Sequence, residues 1–228
     1  PTIVASLIRN LYETVGMFNL IYRNTKTKDE KTILYCLWVH SGLKYRQRFK
    51  SVITTEENQE KFVDEKKKIE QLIKNIEETG LYKNLDEKNK EKIKTRLKQK
   101  DYLIMFNTTE VIFLHWQELT KVMGIKNGLF DNIYTYFSLY SHPSNVAVVQ
   151  FADMFKKEDE FFLKMTNYNL KYFFTLTSIF IADYIKLFPS VLKTFESLNI
   201  RDQIVIDYYN TFMRRQDFSI NDSWKAIN

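Results

Sequence analysis

The sequence predicts an all-α fold, a helical bundle with a protruding charged helical hairpin. Three observations carry that expectation. Only five glycines and three prolines occur in 228 residues, too few for the tight turns of a sheet protein. Apolar residues recur at three- and four-residue spacing through most of the chain. The segment that departs from this texture, residues 55–100, is dense in Lys and Glu yet keeps a narrow apolar stripe. Aromatic residues make up 15% of the chain, so the core is expected to be rich in rings.

The elements follow in order. Residues 2–23 read as a helix with Val4, Leu7, Ile8, Leu11, Tyr12, Val15, Phe18 and Tyr22 on its apolar side. Ser6, Arg9, Asn10, Glu13 and Thr14 form its polar arc. A second helix is expected from Asp29 to Phe49, carried by Ile33, Leu34, Leu37, Trp38 and Tyr45. Thr54 with Glu57 reads as a capping box for a third. In it Phe62, Ile69 and Ile76 recur, and Gly80 is the expected C-cap. A basic helix from Asp86 to Lys100 completes the charged hairpin, which stands as an insertion at 55–100 in a core of 1–54 and 101–228. Thr108 with Glu110 reads as the start of a helix through Ile112, Trp116, Leu119 and Val122, closed by Gly124. Further helices are expected at 129–140, 143–155, 167–187, from Pro189, and at 200–213.

Composition narrows the function classes. The single Cys36 excludes an intrachain disulfide and a multi-cysteine metal site, and fits an expected cytoplasmic location. The chain opens at Pro1 rather than Met, as a processed or trimmed start would, and "PTIVASLIRNLYET" lacks the basic leader of a secretory signal. The apolar run Tyr172 to Leu192 is interrupted by Asp183, Lys186 and Pro189, so a buried core helix is expected there rather than a membrane span. There is no Gly-rich phosphate loop and no nucleophile elbow, so no cofactor is expected. His40, His115 and His142 are dispersed without metal-ligand spacing, so no metal is expected.

Two groups of residues are candidates for chemistry. Arg9 and Glu13 lie four apart on one face of the first helix. They form either a surface ion pair or a pocket in which Glu13 fixes Arg9 for an anion. His142, in "YSHPS", sits where an aromatic run stops at Ser141-His142-Pro143. Pro143 and the serines explain the break as a helix start, while a histidine titrating near neutral pH could also act there. Arg9, Glu13 and His142 are therefore the candidate catalytic set. The second group is basic. Residues 83–100 hold eight Lys or Arg and three acidic residues, a local charge of 8 − 3 = +5 in a chain of net +6. Within it Lys92, Lys94, Arg96, Lys98 and Lys100 are candidates for binding RNA or another polyanion.

The first helix, "SLIRNLYETVGMF" with Arg9 and Glu13, together with "YSHPS", resembles a family of uncharacterised prokaryotic all-helical proteins. It is also distantly similar to the HEPN helical-bundle superfamily. That resemblance implies a four- or five-helix bundle, often dimeric, of the kind found in RNA-cutting toxins and antiphage defence systems. The superfamily's nuclease motif is an Arg, four to six intervening residues and then a His, and no histidine of this chain has an Arg at that spacing. Two function classes therefore stand as expectations. One is an interaction module in a defence or toxin system that binds its own copy or a protein partner. The other is an RNA-binding or RNA-cleaving bundle using an Arg/Glu/His pocket. Whether the chain is an enzyme is left open by its residues.

Overall fold

The computed structural model describes residues 2–130, 132–141, 144–154, 156 and 159–214. His142 and Pro143 lie outside them. The described chain is all-α apart from one two-stranded hairpin. It divides into two compact units, Pro1–Asn19 with Trp116–Asn228, and Leu20–His115.

The first unit is built on two long helices, α1 (Thr2–Phe18) and a 29-residue helix (Asp159–Leu187) packed along it. The buried side of α1 is Ala5, Ile8, Tyr12 and Val15, the three- and four-residue repeat that the sequence displays. Gly16 lies on this side because a Cβ there would fall 2.6 Å from a Leu119 methyl, so glycine lets the short helix Leu119–Val122 approach. Phe137, Tyr172, Leu176 and Ile179 complete the core. The last described helix, Ile200–Arg214, packs on the 29-residue helix. There Arg214 grips the fully buried Asp183 with both terminal nitrogens, one at 2.8 Å. Asp183 thus has a charge partner inside the apolar helix it interrupts. Among the described residues no single helix is long and apolar enough to cross a membrane. Glu160–Leu187 and Pro189–Glu196 meet that test only as a pair, bent by 116°.

The second unit gathers α2 (Lys28–Arg46), α3 (Glu56–Glu78), α4 (Gly80–Asn84), α5 (Glu87–Gln99) and a hairpin of β1 (Ile104–Asn107) and β2 (Glu110–Phe113). The charged segment 55–100 therefore packs with α2 and the hairpin, burying Ile69, Leu72, Ile76 and Ile93. Three local expectations are corrected. Reciprocal capping occurs at Thr27, whose hydroxyl accepts from Glu30 N at 3.1 Å while Glu30 accepts from Lys26 N. No such bond forms at α3, where Thr55 is the N-cap. Gly80 opens α4 instead of closing α3. Its missing Cβ leaves room for Asp29, which accepts from Leu81 N at 2.8 Å. Thr108 and Glu110 do not start a helix. Thr108 and Thr109 form a two-residue hairpin loop between strands that pair Asn107 with Glu110. The alternating burial of Ile104 to Asn107 is the period-two signal of a strand.

His40 on α2 is 1% exposed, and its Nδ1 has no hydrogen-bond partner among the described residues. Burial, reinforced by like charge at Lys44, lowers its pKa to about 4 from 6.5. The unfolded chain takes up a proton below 6.5, while the folded chain resists it until about 4. Stability is therefore complete above pH 6.5 and falls as pH drops through that window, by about 2–3 kcal/mol at the acid end. Urea unfolding of wild type and His40→Leu checks this. The variant is expected to lose less stability on acidification, and parallel pH profiles would remove His40 from the account.

Candidate functional site

The polar arc of α1 meets residues from the other segment of its own unit. Arg9 Nε donates to Glu13 Oε1 at 2.9 Å, and its Nη2 donates to the Tyr134 hydroxyl at 3.1 Å. That hydroxyl in turn donates to Glu13 Oε1 at 3.3 Å, closing a triangle. The Arg9 guanidinium lies 5.3 Å from the Tyr134 ring centre, Trp116 stacks on that ring at 6.0 Å and 11°, and the Tyr12 ring lies 5.6 Å away. Tyr12 anchors the same corner by donating to Trp116 O at 2.8 Å.

Arg9 and Glu13 are neither sealed nor free, with side chains 21% and 25% exposed. Burial works against the Arg9 charge, but Glu13 and Tyr134 outweigh it and raise its pKa. Burial, then the Glu13 carboxylate, raises the Tyr134 phenol as well, keeping it a neutral donor at pH 7. The result is a cation clamped between a carboxylate and a ring, with Glu13 and Tyr134 holding its rotamer. Sequence reasoning paired Arg9 with Glu13 but missed Tyr134 and Trp116. Tyr134 opens the aromatic run that ends at "YSHPS", and only the fold shows that its ring reaches α1.

His142 lies outside the described residues, but the residues flanking its junction are placed. Ser141 Oγ lies 3.4 Å from Ser6 Oγ, on the arc that carries Arg9. Ser144 accepts from Ala147 N at 3.1 Å and donates to Leu139 O at 3.0 Å, capping the helix Asn145–Met154. His115 is exposed. Among the described residues no group of three or more His, Cys, Asp and Glu could hold a metal ion.

The candidate polyanion residues of α5 have divergent surroundings. Arg96 is buried, donating to Asp101 at 2.6 Å, to Leu103 O at 3.0 Å and to Leu114 O at 3.2 Å. Its guanidinium also covers the Phe113 ring at 4.2 Å. Lys92 donates to Val111 O at 2.5 Å, and Asn89 accepts from Val111 N at 2.9 Å. Together these side chains occupy hairpin polar groups that strand pairing leaves open. Lys98 pairs with Glu91 at 3.4 Å, Lys100 adopts a left-handed conformation at φ 60° as the helix cap, and Lys94 is exposed.

An aromatic-rich helical bundle with one braced Arg–Glu–Tyr corner defines the class, an all-α bundle protein. The chain belongs to a family of unknown function, DUF5677, whose model matches residues 1–161. No curated protein and no solved structure matches it.

Loss of Arg96 takes one donor from each of the Leu103 and Leu114 carbonyls and removes the cation paired with Asp101. Arg96→Ala is expected to cost about 3 kcal/mol in chemical unfolding. Lys94→Ala and Lys98→Ala are expected to stay within about 0.5 kcal/mol of wild type.

Proposed function

We propose that the chain is an interaction module whose first unit binds a second copy of itself through an exposed apolar face. The observation that carries this is the helix Asn145–Met154. Val146, Val148, Val149 and Phe151 are all exposed on it, and only Met154 is buried. The 29-residue helix adds a matching stripe, in which Phe162, Leu163, Leu170, Phe173 and Phe174 are exposed. These positions fall within about a third of a helical turn when laid out at 100° per residue, with Thr166 and Thr177 among them and no charge between. Uncharged surface of this kind marks an association site. The resemblance to bundles that often dimerise supports the same reading, and it is the source of the proposed defence or toxin setting.

A second reading takes its support from the Ser6–Ser141 approach, which puts Ser141, the residue before His142, against the polar arc of α1 that carries Arg9 and Glu13. On that reading Arg9, Glu13 and His142 form an RNA-binding or RNA-cleaving pocket.

Light scattering during size exclusion is expected to show a concentration-dependent dimer. Val148→Glu with Leu163→Glu should return it to monomer with unchanged far-ultraviolet dichroism. A monomer at all concentrations would remove the self-association reading. RNA cleavage and cell toxicity measured for wild type, Arg9→Ala and His142→Ala decide the second reading, which falls if all three behave alike.

A further inference from the structure

The stretch "KYRQRFK", Lys44 to Lys50, places four cations and two rings within seven residues at the end of α2. It leaves the helix as a 3-10 turn, Gln47–Val52. Tyr45 is 56% and Phe49 is 48% exposed, with ring centres 5.8 Å apart, and Arg48 lies 5.2 Å over Tyr45. Arg46 is paired with Glu65 at 2.8 Å. Lys44, Arg48, Lys50 and Lys66 make no ion pair among the described residues.

Beside this turn a groove of about 310 Å³ runs against α3. Ile53, Phe62 and Val63 give it an apolar wall, Gln47 and Gln59 bring amides, and Lys50 and Lys66 bring charge, with no carboxylate among its lining residues. The Gln47 nitrogen is directed to Phe62 O and Glu65, and its amide oxygen accepts no hydrogen bond among the described residues.

We propose that this turn and groove bind single-stranded nucleic acid. Arg48 and Lys50 contact phosphates, the exposed rings of Tyr45 and Phe49 stack on bases, and the groove takes one base against its apolar wall with the amides at its edge. The charge is complementary to a phosphate backbone, and rings interleaved with cations are what strand binding without duplex readout requires. The groove is at the small end of ligand sites, room for one nucleotide rather than a folded segment. A membrane-surface helix would separate a long apolar face from a basic one. Here the basic and aromatic residues interleave along the seven residues Lys44 to Lys50, which run from the end of α2 into the turn. This site lies in the second unit and the proposed self-association face in the first, so either can fail while the other stands.

Fluorescence anisotropy of a labelled oligouridine of about 12 nucleotides with the full chain tests it. Wild type is expected to bind with steep salt dependence. Arg48→Ala with Lys50→Ala should weaken binding and reduce the slope of log affinity against log salt by about 1.4, or about 0.7 per phosphate contact. Phe49→Ala should weaken binding about tenfold and leave the slope unchanged. Lys94→Ala with Lys98→Ala on α5 should bind as wild type. These side chains are exposed, and dichroism confirms that each variant is folded. Undiminished binding by the first two variants overturns the proposal. So does binding to phosphatidylserine vesicles without binding to the oligonucleotide.

Discussion

The second unit depends on the burial of one guanidinium. Arg96 reaches from α5 to the base of the hairpin, donating to Leu103 O and Leu114 O on its two arms while Asp101 neutralises its charge. A two-stranded hairpin is marginal by itself, because its outer groups need partners other than water once they are covered. Arg96 serves the base of the hairpin, while Lys92 and Asn89 serve Val111 in β2. The three residues lie three or four apart, so α5 presents them as one row. Hence a helix with few apolar anchors is still held, and part of the basic run is structural.

The first unit uses charge in a similar way. Asp183 sits fully buried in the apolar second half of the 29-residue helix, and Arg214 reaches it from the last described helix. At the other end, Arg9 is clamped by Glu13 and Tyr134, with Trp116 stacked behind the ring. In each case a planar guanidinium ties elements distant in sequence through several directional bonds, a role for which an ammonium is poorly shaped. These pairs fix which faces meet. They do not supply the bulk of the stability, which comes from buried rings and aliphatic side chains such as Tyr12, Phe137 and Leu176.

Two surfaces among the described residues stand apart from these internal roles. One is apolar, on the helix Asn145–Met154 and the first half of the 29-residue helix. The other is basic and aromatic, at Lys44 to Lys50. Neither is used to build its own unit, and they differ in chemistry. An uncharged face suits another protein surface, whereas alternating rings and cations suit a flexible polyanion. A family match over residues 1–161 covers the first of these helices and the basic turn.

The all-α class and most helices were legible in the sequence, because a repeat of three and four residues with few glycines and prolines is a local property. The helices at α1, Pro189 and Ile200 stand near the expected positions. The hairpin at Ile104 to Phe113 was misread because Thr108 and Glu110 mimic a helix start, and the strand period over four residues is short. Arg9 with Glu13 could be paired from spacing alone, since i and i+4 share a helix face. Tyr134 and Trp116 could not, because more than a hundred residues separate them from Arg9 and only packing brings them there. The sequence by itself determined where charge, rings and helical faces lie along the chain. Tertiary structure decided which charges are used internally, burying Arg96 and leaving Arg48 exposed, because burial depends on neighbours that no local pattern encodes.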